Sequence, residues 1–280
     1  QVIRVRRAKL LQDAMEKCAS FEDKAWRQDW QIRFDGEQGV DWGGLQREFF
    51  NILGREVFST KKKGSKEPLF TQMGTDSGPL AHPNIHASAD ADTAAFRFAG
   101  KVMGKCLYDS AVRDSHHLLS VHYTRSFLKL ILGVPISYHD FEKDDPQLFK
   151  SKVQFMVANK IDDAGLDLTM SEEYYAPGGK LIETIDLVPN GKGVPVNDGN
   201  KRMYLTLLAR HRLGLSRKPY NTEAFSPQVK AFIEGFYTLV PPGLLETFDE
   251  NELELLVCGM AEVSLSDFKD NTAYPGIRDP

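Results

Sequence analysis

"LIETIDLVPNGKGVPVNDGNKRMYLTLLARHRL", residues 181–213, changes its periodicity halfway along. Residues 181–188 alternate like a strand and run into Asn190-Gly191, a favoured tight-turn pair. Residues 200–213 carry their apolar side chains at helical spacing. Just upstream, "LDLTM" (166–170) alternates apolar and polar residues, and 145–158 reads as another helix. Strand and helix are therefore mixed from about Pro135 to Leu215, and the text on either side is different in kind.

Outside that stretch the patterns are mostly helical. "VRRAKLLQDAMEKCASF" (5–21) places Leu10, Leu11, Ala14, Met15 and Cys18 on one helical face. "WQIRF" (30–34) alternates, "GGLQREFFNILGREVF" (43–58) returns to helical spacing, 59–68 is a Lys- and Gly-rich loop, and "PLFTQM" (68–73) reads as a short strand. Helices are expected over 93–111 and 121–132, then over 222–240, 241–248, 249–258 and near 264–270. The fold expected is α+β and mainly α-helical: a large helical body over 1–134 and 216–280, with a smaller α/β piece over 135–215 inserted into it.

The chain has 280 residues, a formal net charge of -4, 41% hydrophobic and 26% charged residues. That suffices for a sizeable core, and the charge argues against nucleic acid as a partner. The basic runs "RVRR" (4–7) and "KKK" (61–63) read as a solvated helix start and a loop. Three cysteines without regular spacing make no disulfide framework and point to a reducing compartment, cytoplasmic or nuclear. No apolar stretch approaches the ~20 residues that span a bilayer. Opening on Gln1, the chain reads as part of something longer.

The three thiols are the first candidates for chemistry. Cys258 ends a helix that Asp249 and Glu252 would start as a capping box and Gly259 would stop. Glu250, Glu252 and Glu254 and the helix C-terminus all oppose a thiolate there, while Leu253, Leu256 and Val257 face a core. Cys18 and Cys106 sit in register with Met15 and with Phe96, Ala99 and Met103, again as core residues. "GKVMGKC" (100–106) fails as a phosphate loop in its glycine spacing and in having Cys106 where a hydroxyl should hold magnesium. The histidines of "HHLLSVH" (116–122) lack ligand partners and read as surface or helix-end residues. From residue chemistry alone there is no assembled active site, no metal site and no cofactor.

Four longer stretches carry a resemblance: "FDGEQGVDWGGLQREFF" (34–50), "FAGKVMGKCLYDS" (98–110), "VPNGKGVPVNDGNK" (188–201) and "FDENELELLVCGM" (248–260). In this order and spacing they are similar to the HECT-type ubiquitin ligases, and "DDPQLFKSKVQF" (144–155) with "YTRSFL" (123–128) resembles the apoptosis-resistant subfamily. The resemblance implies the N-lobe of a bilobal domain: a large helical subdomain carrying a small one that docks a ubiquitin-conjugating enzyme. The family's nucleophile lies in a Thr-Cys-Phe motif of the C-lobe. Here the cysteines read Lys-Cys-Ala, Lys-Cys-Leu and Val-Cys-Gly, and "NTAYPGIRDP" (271–280) resembles the approach to the interlobe hinge.

By the same resemblance the conjugating enzyme would dock between the helices at 145–158 and 200–213, on Leu148, Ser151, Lys152, Phe155, Met156, Tyr204 and Leu208. Lys152 and Ala158 stand where some relatives have leucine and tyrosine, which makes the slot shallower or more charged. A non-covalent ubiquitin would lie near Phe70, Leu80 and Pro83, although the lysine-rich loop 61–66 departs from the pattern. Asp41, Trp42, Gly43 and Gly44 read as a tight turn with a cap, not as catalytic residues. Expected partners are a ubiquitin-conjugating enzyme, ubiquitin, and protein substrates held by regions outside this chain. A helical scaffold that binds partners without ligase activity is the rival reading.

Overall fold

Ile3, Val5, Ile32 and Phe34 are buried and alternate with exposed neighbours, which decides the start of the chain. Strand β1 (Val2–Val5) pairs in parallel with β2 (Gln31–Phe34), Ile3 against Ile32 and Val5 against Phe34. The run at 4–7 is thus a strand leading into a 3-10 turn (Arg7–Lys9), not a solvated helix start. Two buried β-branched side chains, Ile3 and Val5, outweigh the exposed Arg4 between them. Helices α1 (Leu10–Ala19) and α2 (Asp23–Trp26) form the crossover that parallel strands require.

The computed structural model describes residues 1–37, 43–61, 67–74, 80–87, 89–113, 115–175, 181–215 and 225–259. Asp41, Trp42, the KKK run beyond its first lysine, and the helix expected near 264–270 lie outside them. Gly43, at φ +91°, turns the chain into α3 (Gly44–Val57), a conformation that a side chain would strain. Strands β3 (Phe70–Met73) and β4 (Leu80–Pro83) are antiparallel neighbours.

Helix α4 (Ala89–Arg113) and α10 (Pro227–Tyr237) are the spine of the body, and they meet backbone to backbone. A Cβ on Gly100 would lie 2.0 Å from the Phe232 carbonyl oxygen, and one on Gly235 would lie 2.1 Å from that of Arg97. The glycines of "GKVMGKC" are therefore there for helix contact, inside an unbroken helix. Around this crossing Phe58, Phe70, Tyr123, Phe127 and Phe232 pack together with centroids 4.9–6.5 Å apart, edge to face except for the tilted Tyr123–Phe127 pair.

After α5 (Arg125–Leu132) the chain leaves this core and builds a second one. It comprises α6 (Phe141–Asp144), α7 (Pro146–Leu148), a π-helical run (Phe149–Gln154), α8 (Phe155–Ala158), strands β5 (Ser171–Tyr175) and β6 (Leu181–Asp186), and α9 (Lys201–Arg212). Its buried side chains run from Phe141 to Leu213, whereas the first core draws on residues before Leu132 and after Gly214. The chain returns through α10 and ends, among the described residues, with α11 (Glu250–Cys258). The architecture is α+β and mainly helical.

Several local expectations change. "LDLTM" forms only an isolated bridge, Thr169 to Pro195, because the partner of β6 is β5, whose "SEEYY" hides its register behind charged residues. The tight turn expected at Asn190-Gly191 does form, as a left-handed Asn190 (φ 56°) entering a 3-10 turn. The helix expected over 241–248 is one such turn, Pro242–Leu244. Leu256 is exposed, while Leu253 and Val257 are buried. His117 is buried and stacked 4.5 Å from Phe50, not a surface histidine.

Asp144 ties the second core to the first. Its buried carboxylate accepts from the backbone amides of Arg125 (2.6 Å) and Ser126 (3.0 Å), at the first turn of α5. Burial holds its pKa above the ordinary carboxylate value even so. Beside it, Lys129 donates to Asp140 (2.6 Å).

Candidate functional site

The helical segment 146–158 turns on its middle. Asp145 caps α7 by accepting from the Leu148 amide (3.0 Å), Pro146 sits at the first helical position, and the π-helical run follows. Widening the helix by a residue per turn re-aims everything after it, which is why such runs mark working surfaces more often than plain helix does. Here it leaves Phe155 at 39% exposure and Val157 at 44%, while Val153 and Met156 point inward.

Helix α9 lies alongside. Lys201 Nζ donates to the Asn159 carbonyl (2.7 Å), and Asp198 accepts from the Ile161 amide (3.1 Å), closing the end of α8 against the start of α9. Lys152 Nζ donates to the Tyr204 hydroxyl (3.1 Å) and sits 5.6 Å from the centre of its ring. Met203, next in sequence, is half exposed.

The seven residues expected to form the groove divide into two layers. Leu148, Ser151, Lys152 and Phe155 reach the surface. Met156, Tyr204 and Leu208 do not: each is at most 1% exposed and belongs to the second core. They support the surface from beneath, and Tyr204 reaches it only through the hydroxyl that holds Lys152. Val157 and Met203 add apolar surface that motif matching did not mark; only burial in the folded chain distinguishes them from core.

Phe70, Leu80 and Pro83 are held otherwise than expected. Phe70 and Pro83 are opposite one another in the β3–β4 ladder and are buried, Phe70 in the aromatic cluster, so neither is a contact residue. Leu80 alone is partly exposed.

No thiol is set up for attack. Burial pushes Cys18 up to about 12 and raises Cys106 and Cys258 as well. Glu254 adds to the effect at Cys258, Arg125 opposes it weakly, and the Cys258 Sγ donates to the Val121 carbonyl (3.0 Å). Among the described residues no three His, Cys, Asp or Glu side chains gather as metal ligands, and no helix is long and apolar enough to cross a membrane.

The chain is α+β with two cores and a partly exposed apolar strip over a π-helical turn, and none of its three thiols is activated. The profile of the HECT-domain (ubiquitin-transferase) family matches residues 52–279, and the chain belongs to that family. Among its relatives, the apoptosis-resistant E3 ubiquitin protein ligase 1 of Homo sapiens is 36% identical over 275 residues, covering 98% of this chain and 32% of the relative. E3 ubiquitin-protein ligase HACE1 of Danio rerio is 36% identical over 274 residues (98% and 28%). E3 ubiquitin-protein ligase UPL1 of Arabidopsis thaliana is 35% identical over 277 residues (97% and 7%). The chain thus spans about a third or less of the length of these relatives.

Proposed function

We propose that this chain is the part of a HECT-type ubiquitin ligase that docks a ubiquitin-loaded conjugating enzyme, in a reducing compartment of the cell. The nucleophilic cysteine is then supplied by polypeptide outside these 280 residues. That cysteine's thiolate attacks the carrier's thioester carbonyl, the carrier leaves as its own thiolate, and a substrate lysine amine later displaces the ligase sulfur to form an amide. The contribution of this chain is proximity: a docked carrier is held within reach of a sulfur that would otherwise meet it only by diffusion.

The observation that carries this reading is the strip on a π-helical turn in which Phe155 is exposed and Leu148 and Lys152 are partly so, in a member of this family. An apolar side chain from the carrier can lie against Phe155 while Lys152 and Ser151 form a polar rim. The three thiols, buried at Cys18 and Cys106 and half-buried at Cys258, support the other half, since the pKa of each is raised and none is poised to accept ubiquitin itself.

Titration against a panel of conjugating enzymes tests it. At least one should bind, and Phe155→Ala should weaken it about tenfold, roughly 1.4 kcal/mol, without changing the melting curve. Unchanged affinity removes Phe155 from the contact. Incubation with a charged carrier should leave no reducible ubiquitin adduct on the chain; an adduct on any of the three cysteines ends the platform reading.

A further inference from the structure

Helix α5 is capped from two different parts of the chain. The first four amides of a helix have no partner within it. Here Phe127 donates to Thr124 Oγ1 (3.4 Å) and Leu128 to the Thr124 carbonyl (3.2 Å), both inside the body. The amides of Arg125 and Ser126 donate instead to the two separate oxygens of Asp144. Asp144 arrives with α6, whose Phe141 belongs to the second core. The unit built on that core thus completes the cap of a helix in the other, with a carboxylate where the helix dipole favours one.

A second contact lies one turn along α5. Lys129 Nζ meets Asp140 Oδ1 (2.6 Å), and Asp140 precedes Asp144 by four residues, so the two carboxylates share a face. One contact would fix a distance. Two of them, a turn apart on a helix whose Phe127, Leu128, Leu130 and Ile131 are buried in the first core, also fix an angle. Turning the inserted unit away would strand the buried Ser126 amide and leave a fully buried carboxylate without donors, which costs far more than parting an exposed ion pair. The same two residues of α5 also hold the last described helix: Arg125 pairs with Glu254 (2.6 Å), and Lys129 lies 3.9 Å from Glu250. Helix α5 is a common mount for α11 and the inserted unit.

We propose that Asp144 is a positioning residue: it latches the inserted unit to α5 and so sets the direction in which that unit presents a docked carrier. What is presented rests on the docking reading above; the latch itself does not. Because Asp144 is wholly buried, it cannot touch a carrier, and the carrier's affinity should not depend on it. Its effect falls on transfer, where a small misplacement of the reacting groups is enough to slow the step.

Residual dipolar couplings of the whole chain test the latch. In the native chain one alignment tensor should fit the amides of α4 and α10 together with those of α9, β5 and β6. Asp144→Asn keeps the shape but can accept only one of the two amides. It should split the fit into two tensors, each unit still matching its own coordinates, and the Ser126 amide should exchange about tenfold faster. Arg125→Pro reaches the same contact from the body and leaves the inserted unit untouched. It deletes one donor at the first helical position, after a Thr124 already extended (φ -62°, ψ 145°) as a residue before proline must be. Arg125→Ala, which loses the ion pair but keeps the amide, is its control, and should retain a single tensor. Should Asp144→Asn fail to fold, the two Arg125 variants decide. A single tensor in Arg125→Pro, or equal loosening in Arg125→Ala, would overturn the latch. In the ligase that contains this chain, transfer from a saturating carrier should slow about tenfold in Asp144→Asn while KM changes less than about twofold. Loosened units with an unchanged transfer rate, or a risen KM alone, would overturn the positioning role. If no conjugating enzyme binds the native chain, the docking reading fails, and the tensors still decide the latch.

Discussion

The crossing of α4 and α10 and the surface of α8 are opposite solutions to the same demand, that apolar side chains meet a partner. At the crossing the partner is the chain itself. Glycines remove every intervening atom, carbonyl oxygens take the place of side chains, and nothing larger than hydrogen fits at Gly100 or Gly235. At α8 the π-helical turn pushes Phe155 and Val157 outward over a finished core, leaving apolar surface that the chain does not cover. The first region defines the fold and tolerates no change. The second can change without unfolding anything, as the proposed docking surface requires.

The comparison breaks first at the glycines. Gly235→Ala forces a methyl into the Arg97 carbonyl, where the obstacle is backbone and cannot swing away. The loss of stability should be about 3 kcal/mol or more, read as a drop in the urea midpoint. Gly193→Ala, beside the second core and with open space around it, serves as the control and should change stability by less than about 1 kcal/mol. Similar losses at both positions would mean that the crossing is not specially tight.

How much of this was legible from the text of the chain follows the same division. The cap at Asp249 and Glu252 and the stop at Gly259 form as read, because all three signals are local to α11. The helical body and the inserted α/β unit are likewise visible as a change of period. What stayed hidden was decided by residues far apart in sequence. Glu172 gives β5 the look of a surface segment, yet it is buried because it pairs with Arg212 of α9. His117 is inside because Phe50 lies against its ring. The π-helical run has no sequence signature, so the division of the proposed docking residues into exposed and buried layers could not be drawn before the structure. Tyr204 and Leu208 have the composition of an interface and the burial of a core.

Acid separates the two regions next. His82, in β4 of the body, donates or accepts through Nδ1 with Thr124 Oγ1 (2.7 Å), and burial lowers it to about 3 from an ordinary value of 6.5. The unfolded chain takes up this proton near 6.5 and the folded chain only near 3, so the stabilisation is complete above pH 6.5 and is lost progressively as pH falls toward 3. His117, lowered by burial to about 4, acts in the same direction over a narrower range. Urea midpoints at pH 7.5, 6 and 5 should fall more steeply for the native chain than for His82→Gln, whose side chain does not titrate. Parallel falls would show that His82 takes no part in the acid limb.

The smallest effect is expected at Tyr204, and it bears most directly on the two layers of the proposed docking surface. Tyr204→Phe keeps the ring that fills the second core and deletes only the oxygen that accepts from Lys152. One hydrogen bond to a charged donor is lost, but that donor can turn to water, so stability should fall by only about 0.5–1.5 kcal/mol. Leu208→Ala, which opens a cavity in the same core, should cost about 2–5 kcal/mol. If Tyr204 is a support, the carrier's affinity should change less than about threefold in Tyr204→Phe, through the freed lysine alone, and remain well short of the loss at Phe155→Ala. An affinity loss as large as that of Phe155→Ala, with stability preserved, would move Tyr204 from the supporting layer into the contact itself.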